Sequence, residues 1–513
     1  MIDHAEPTVD RLTASSTLRP GGERAVRLLL SRRLGWAFDE AVLFPIVALF
    51  VVGLLGNIPG ELLSDSWLVV LGGREIVAHG LPHHDTLAIW TQGREWVDQQ
   101  WLGQLAFYGL YALGGIKLAL VGHVTAAGTA FVAALAAARW RGGSTRSVCW
   151  LALPSIFLLV WGSWNARAQS LALVLFVALI WLLIADARKQ SRRVFLVLPL
   201  LALWANVHGT AVTGALLVVL WGLTYAAERR KLPWRTWAPR AAVLCLAPIA
   251  CLFASPYAAD LPGYYHLMLT NSGLRQYIVE WRPTAPSLQT APFFGIAFLA
   301  VWLVGRCRER LLPYEKVILG LTLLMALESI RSVIWFTLAA LMLVPVALDG
   351  VLKPNVSAMR FKLLNGALVA ASLAGVIATS AVIAAKPGSW AMREYPNGVL
   401  TAVDRVQSRD PHVRVFANEM YSDWLLLARP ELKGRVAFDI RFELTSKTEI
   451  RRIVDIRRRV EGWRQAVSAY GLFVLNKGPE GPLAAALLRE PGAKLVYRGH
   501  DAIVVWRPVR GAK

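Results

Sequence analysis

Apolar residues in this chain come in long blocks, not in the alternation of a half-buried strand or the one-sided stripe of a soluble helix. The first block runs from Ala41 to Gly56 and reaches spanning length once Phe38 or Trp36 is added. Others follow at 117–138, 147–163, 168–185, 194–206, 211–226, 241–257, 290–305, 314–328, 333–348 and 363–385. A helix that crosses a bilayer needs about 20 predominantly apolar residues, so the pattern predicts about eleven transmembrane helices. Trp101–Leu113 is a separate apolar stretch, too short to span, and predicts an interfacial or re-entrant helix at 101–113.

Beyond Tyr395 the pattern changes. Charged residues become dense, and the short apolar runs Val413–Ala417, Arg435–Phe438, Leu472–Leu475, Leu495–Arg498 and Ala502–Trp506 predict strands. Thr445–Tyr470 carries apolar residues at helical spacing among many charges. The expected fold is an α-helical polytopic membrane protein with a small C-terminal α/β domain. Its parts are a basic N-terminal tail at 1–36, a transmembrane bundle at 37–390 with a first outer loop at 57–100, and the α/β domain at 391–513.

Charge sets the expected orientation. With the N-terminus in the cytoplasm, the N-tail, 139–146, 186–193, 227–240, 306–316 and 349–362 fall inside. They hold about 25 Lys and Arg, against about 7 outside, the bias of the positive-inside rule. Counting 101–113 as a span would put three basic clusters outside instead. The expectation is therefore a multi-pass plasma-membrane protein with its N-terminus cytoplasmic and its C-terminal domain extracytoplasmic. Residues 1–36 are polar and Arg-containing, unlike a cleavable signal.

Composition agrees. Of 513 residues, 56% are hydrophobic and 17% charged, where soluble domains carry about 25% charged residues. The 21 tryptophans suit a protein with two interfaces to anchor. A net charge of +21 would suggest nucleic acid in a soluble protein, but loop charge accounts for it and no nucleic-acid partner is needed. Cys149, Cys245, Cys251 and Cys307 lack zinc or redox spacing.

Against this apolar background the ionisable residues stand out, because membrane-edge charges are costly without a partner, water or a function. They gather on the outer side. The first loop holds Asp65, Arg74, Glu75, His79, His83, His84, Asp85, Glu95 and Asp98. Later outer turns carry Trp164-Asn165-Ala166-Arg167, Trp204-Ala205-Asn206-Val207-His208-Gly209, Glu280-Trp281-Arg282 and Glu328-Ser329-Ile330-Arg331. One polar site at the outer rim is the simplest account. Structural alternatives exist for each: Asp65 as an N-cap for a helix from Ser66, Asp98 as a membrane-edge anchor with Trp96 and Trp101, Arg331 paired with Glu328, and Glu280 anchoring its loop. Asn206 and His208 can equally serve backbone groups of a tight turn. His83-His84 is a weak metal signal.

The segments Asp65-Ser66-Trp67, Gly73-Arg74-Glu75-Ile76, His79-Gly80-Leu81-Pro82, Asp85-Thr86, Trp96-Val97, Trp101-Leu102 and Gly114-Gly115 resemble a pattern of bacterial membrane proteins in the class C glycosyltransferase superfamily. Trp204 to Gly209, Ser255-Pro256-Tyr257, Glu280-Trp281, Arg331 with Trp335-Phe336, and Asp439-Ile440-Arg441 extend the resemblance, with Ser255 and Ile440 where the family often has Asn and Gly. The resemblance implies transfer of a sugar from a polyprenyl-phosphate donor to an envelope glycan, lipid or protein at the outer face, by an inverting mechanism. Asp65 would be the base that deprotonates the acceptor hydroxyl, and Asp85 the second catalytic acid. Arg74, Arg167, Arg282 and Arg331, with Asn206, His208 and Glu280, would bind donor and phosphate. No cofactor is demanded; a divalent cation, Mg or Mn, on Asp65 and Asp85 is the one candidate. The competing classes are a transporter or lipid flippase and a non-catalytic envelope-assembly protein.

Overall fold

The computed structural model describes residues 40–163, 165–352 and 362–509. The expected tail 1–36, the start of the first block at Trp36 and Phe38, Trp164 and most of the inner segment 349–362 lie outside the described residues.

Each of the eleven apolar blocks contains a helix. In chain order the helices are α1 (Leu43–Glu61), α2 (Ser64–His79), α3 (Trp101–Trp140), α4 (Thr145–Gly162), α5 (Gln169–Arg188), α6 (Val197–Val207) and α7 (Ala211–Arg229). They continue with α8 (Trp234–Leu252), α9 (Leu261–Thr270), α10 (Ser272–Tyr277), α11 (Ala291–Arg306), α12 (Pro313–Glu328), α13 (Val333–Leu352) and α14 (Lys362–Ala385). Length and apolarity together separate them. Among the described residues six helices are long and apolar enough to cross a membrane: those within α3, α4, α5, α7, α13 and α14. At 1.5 Å per residue, the 11-residue α6 is only about 17 Å long, so it falls below what a lone span requires. The expected multi-pass helical architecture is present, with helices of unequal length.

α3 is one helix only nominally. Gly114 (φ −149°) and Gly115 (φ 65°) break it at the boundary expected after 113. The left-handed conformation at Gly115 is one that glycine adopts without a steric penalty. The short arm before the break packs on α2, the first-loop helix that starts at Ser64, close to the start at Ser66 considered from the sequence. A Cβ on Gly73 would meet the Gln104 carbonyl at 2.4 Å, so the glycine permits the close crossing. α13 fills the bundle axis and is buried from Val333 to Pro345 without a gap.

The C-terminal part holds α15 (Asn397–Gln407), β1 (Val415–Ala417), α16 (Glu419–Ala428), α17 (Lys447–Arg458), β2 (Leu472–Asn476), α18 (Lys477–Leu487), β3 (Lys494–Arg498) and β4 (Ala502–Trp506). The sheet order is β1-β2-β4-β3, with β1 and β2 parallel and the other pairs antiparallel. Four expected strands are present. The fifth, Arg435–Phe438, is a connector: Val436 bridges Val415 on one side and Ala88 of the first loop on the other. Ile89 and Trp90 donate backbone N–H groups to Val436 and Ala437, so the first loop extends the edge of the sheet. Trp90 also donates to Tyr470 OH at 2.7 Å and lies against Phe438. The expected Thr445–Tyr470 helix is split after α17 by left-handed Arg459 (φ 57°) and Gly462 (φ 83°).

Candidate functional site

The site starts where α2 starts. Asp65 lies in the first turn of α2, where the helix dipole favours a negative charge. The structural alternative of an N-cap does not hold: Leu63 occupies that position, and the Asp65 side chain reaches Asn165 and Arg167. Asp65 Oδ2 accepts from Asn165 Nδ2 at 2.8 Å and lies 3.5 Å from Arg167 Nη1. Ser66 Oγ donates to Asn165 Oδ1 at 2.8 Å, which fixes the amide so that its NH2 faces Asp65. Asn165 and Arg167 come from the turn between α4 and α5.

Arg167 then grips Glu280 with two parallel bonds of 3.0 Å, and Arg331 Nη1 stands 3.8 Å from the same carboxylate. The Arg331 guanidinium also lies 5.6 Å from the Trp281 ring centroid. The Glu280 turn is strapped to the start of α13 by Ser329 Oγ to Glu280 O (3.0 Å) and Ile330 N to Arg282 O (3.0 Å). The result is a charge relay, Asp65–Arg167–Glu280–Arg331, drawn from four segments. Arg167 is 9% exposed, whereas Asp65 and Glu280 keep about a third of their side-chain surface, 34% and 35%.

Burial opposes the Glu280 charge, but Arg167 and Arg331 outweigh it and hold the carboxyl down at about 2. His208 is pushed the other way: burial, then the two arginines, lower its pKa well below the usual histidine value. Trp204 Nε1 donates to Thr210 Oγ1, and Thr210 supplies both its backbone N–H and its hydroxyl to His208 Nδ1. The remaining proton therefore sits on Nε2, and His208 is a neutral donor.

Asp65, Arg167, His208, Glu280 and Arg331 line one cavity of about 780 Å³. The other expected residues lie outside it, each for a visible reason. Arg74 is spent on the Leu426 and Leu427 carbonyls and on Glu75. Asn206 accepts from Trp101 and donates to the Ala202 and Ala254 carbonyls, so it serves its turn. Arg282 donates to Gln276 O on an exposed surface. Asp85 is buried and accepts from Leu87 N, Thr91 Oγ1 and Arg441 Nη2 (2.8, 2.5 and 2.6 Å). It is thus an anchor for Arg441 and does not line the cavity with Asp65. Among the described residues no group of three or more His, Cys, Asp and Glu could hold a metal, His83-His84 included. Glu328 pairs with Arg275 at 2.6 Å instead of with Arg331.

Several cavity residues carry no sequence signal. Gln99, Tyr264 and Glu443 line it, the last on the turn Phe442–Leu444 of the C-terminal α/β part. That turn follows Arg441, which is fully buried, ion-paired to Asp85 and Asp439, and stacked 4.3 Å from the Trp96 ring centroid. Asp98, expected at a membrane edge, is buried beside this cluster and accepts from Gln104 at 2.8 Å. Burial and the neighbouring Glu443 raise its pKa to about 7, with Arg441 opposing. Burial likewise raises Glu443 to about 7; its own backbone N–H and Arg441 oppose, and Asp439 and Asp65 add to the rise.

No family model matches the chain, and no curated protein does. Solved structures do. ArnT from Cupriavidus metallidurans bound to undecaprenyl phosphate superposes with a TM-score of 0.52 at 14% identity, over 92% of this chain and 98% of that one. Its apo form gives 0.52 at 13%, over 93% and 98%. The mycobacterial arabinofuranosyltransferase AftD gives 0.49 at 15% and is matched over 40% of its own length. At such identities the ArnT likeness concerns fold, over nearly the full length of both chains, and it agrees with the resemblance drawn from the motifs. The chain is a multi-pass membrane protein with the class C glycosyltransferase fold.

Proposed function

We propose that this protein transfers a sugar from a polyprenyl-phosphate donor to a hydroxyl-bearing acceptor of the cell envelope, with inversion at the anomeric carbon. The reading places the cavity on the extracytoplasmic side. The observation that carries it is the meeting of Asp65 with Arg167, Glu280, Arg331 and neutral His208 around one cavity. ArnT, which shares the fold, was solved with undecaprenyl phosphate, and this supports a lipid phosphate as the donor's carrier.

In the proposed reaction the acceptor oxygen attacks the anomeric carbon as Asp65 takes the hydroxyl proton. The bond from that carbon to the phosphate oxygen breaks, and the lipid phosphate leaves with the electron pair. Its growing charge needs fixed donors. Arg331 is the better placed arginine, because Arg167 is already engaged bidentately by Glu280 while the Arg331 contact is longer. His208 Nε2–H adds a neutral donor, and Glu280 positions both arginines. A transporter would need an open polar path along the bundle, and the continuous burial of α13 argues against one.

The test is to incubate the purified full chain with a panel of undecaprenyl-phosphate-linked sugars and follow donor consumption, with Asp65→Asn as control. Consumption by the wild type and its loss in the variant are expected. An Asp65→Asn variant that consumes donor at the wild-type rate would overturn the assignment.

A further inference from the structure

The cavity has two chemically different poles. One carries the guanidinium groups of Arg331, Arg167 and Arg275, which outnumber their partners Glu280 and Glu328. The other has no cation: Gln99, Tyr264 and Glu443, with Asp65 reaching both poles, 3.5 Å from Arg167 and close enough to act on Glu443. Gln99 is nine-tenths buried, and its Oε1 has no partner. A buried acceptor left empty is costly, so this oxygen is provided for a donor that the chain itself does not supply. Glu443 is held in place from behind, because its turn follows Arg441, and Asp85 and Asp439 clamp that arginine. Asn271 closes the same roof by donating to Thr445 O at 3.3 Å.

From this geometry we infer that the Gln99–Glu443 pole is the acceptor subsite, and that it takes a sugar or polyol presenting neutral hydroxyl or ammonium groups, not phosphate or carboxylate. This rests on the proposed transfer reaction and deepens it. The Asp65 and Glu443 carboxyl oxygens and the empty Gln99 carbonyl oxygen can accept from hydroxyl and ammonium donors. An anionic group would meet the Asp65 charge, and the Glu443 charge wherever that carboxyl is ionised, in a poorly solvated cavity. The same repulsion keeps the donor's phosphate at the arginine pole, so charge alone sorts the two substrates. The outer domain thereby contributes a specificity residue from a segment more than 340 positions away from Gln99.

Three probes of one scaffold test this: methyl glucoside (neutral), glucosamine (cationic) and glucose 6-phosphate (anionic). Binding to the full chain in nanodiscs is followed by ligand-observed NMR, with and without undecaprenyl phosphate. Wild type should bind the first two and hold glucose 6-phosphate at least about tenfold more weakly, the scale of one charge-assisted hydrogen bond. Glu443→Gln should weaken glucosamine about tenfold and narrow the preference against phosphate. Gln99→Met, on a different segment, should weaken methyl glucoside, so that misfolding of either variant alone does not decide the matter. Equal binding of the three probes by wild type, binding of none, or no response to either substitution overturns the inference. Failure of undecaprenyl phosphate to bind appears in its own arm and counts against the donor reading instead.

Discussion

The two ends of the helical bundle use the same chemistry for opposite purposes. Helices alternate in direction, so the turns near 141, 186, 240, 315 and 349 share one end, and those near 65, 167, 208, 280 and 331 share the other. At the first end Arg141 meets Glu315 with neither side chain exposed at all, and Arg141 also donates to the Met342 and Leu343 carbonyls. Asp349 accepts from Ser144 and Ser147, and Asp186 accepts from Trp221 and Arg240. Each of these buried charges is answered by a neighbouring helix, and the ends are latched. At the second end one arginine is shared by two carboxylates that each stay one-third exposed, and a cavity remains. An ion pair is a latch where partners saturate it and a site where they do not.

The largest expected effect breaks the open end alone. Asp65→Asn should cut donor consumption by roughly 10²- to 10⁴-fold, the worth of a general base, while the melting temperature hardly moves. A comparable loss of stability would return Asp65 to a structural role.

The closed end should behave in the opposite way. Arg141→Leu strands Glu315 in the interior and should cost about 3–5 kcal/mol of stability. Most of that should return in the Arg141→Leu, Glu315→Leu pair, and undecaprenyl phosphate binding should survive in the double variant. Denaturation of the purified chains gives the first number and a binding titration the second.

Glu280 sharpens the comparison through pH. Its carboxyl is held at about 2, below the unfolded value of about 4.3. Its contribution to stability is therefore present above that unfolded value and lost as pH falls toward 2. Glu280→Gln should flatten this acid-side slope in melting curves taken between pH 5 and 2, and should weaken undecaprenyl phosphate binding by misplacing Arg331.

The smallest effect has the opposite sign. Asp98 and Glu443 are both raised to about 7, and as neighbours they titrate as a pair. Stability linked to their protonated forms is complete below pH 4 and is lost as pH rises through 7. Glu443→Gln should reduce the decline in melting temperature over that range; an unchanged pH profile would show that the pair does not share a proton.

Asp65, Arg167, His208, Glu280 and Arg331 were legible in the sequence because each is a polar residue placed at the edge of an apolar block, where polarity needs a reason. Glu443 and Gln99 were not, and Arg441 was legible only as part of the Asp439-Ile440-Arg441 motif. They sit in segments already rich in charge, where one more acid or base is ordinary. Asp85 lies outside the cavity for a related reason: its partner Arg441 is 356 positions away, and no local pattern announces their contact.

By itself the sequence determined the helices, the break at Gly114-Gly115, most of the strands and the clustering of polar turns toward one side. These follow from local composition, because apolar length and glycine conformation act over a few residues. Which polar turns converge on the cavity, which are spent on backbone carbonyls, and which face of the outer domain closes the roof were settled only by tertiary packing. Such choices depend on distances between residues hundreds of positions apart, and no local pattern encodes those distances.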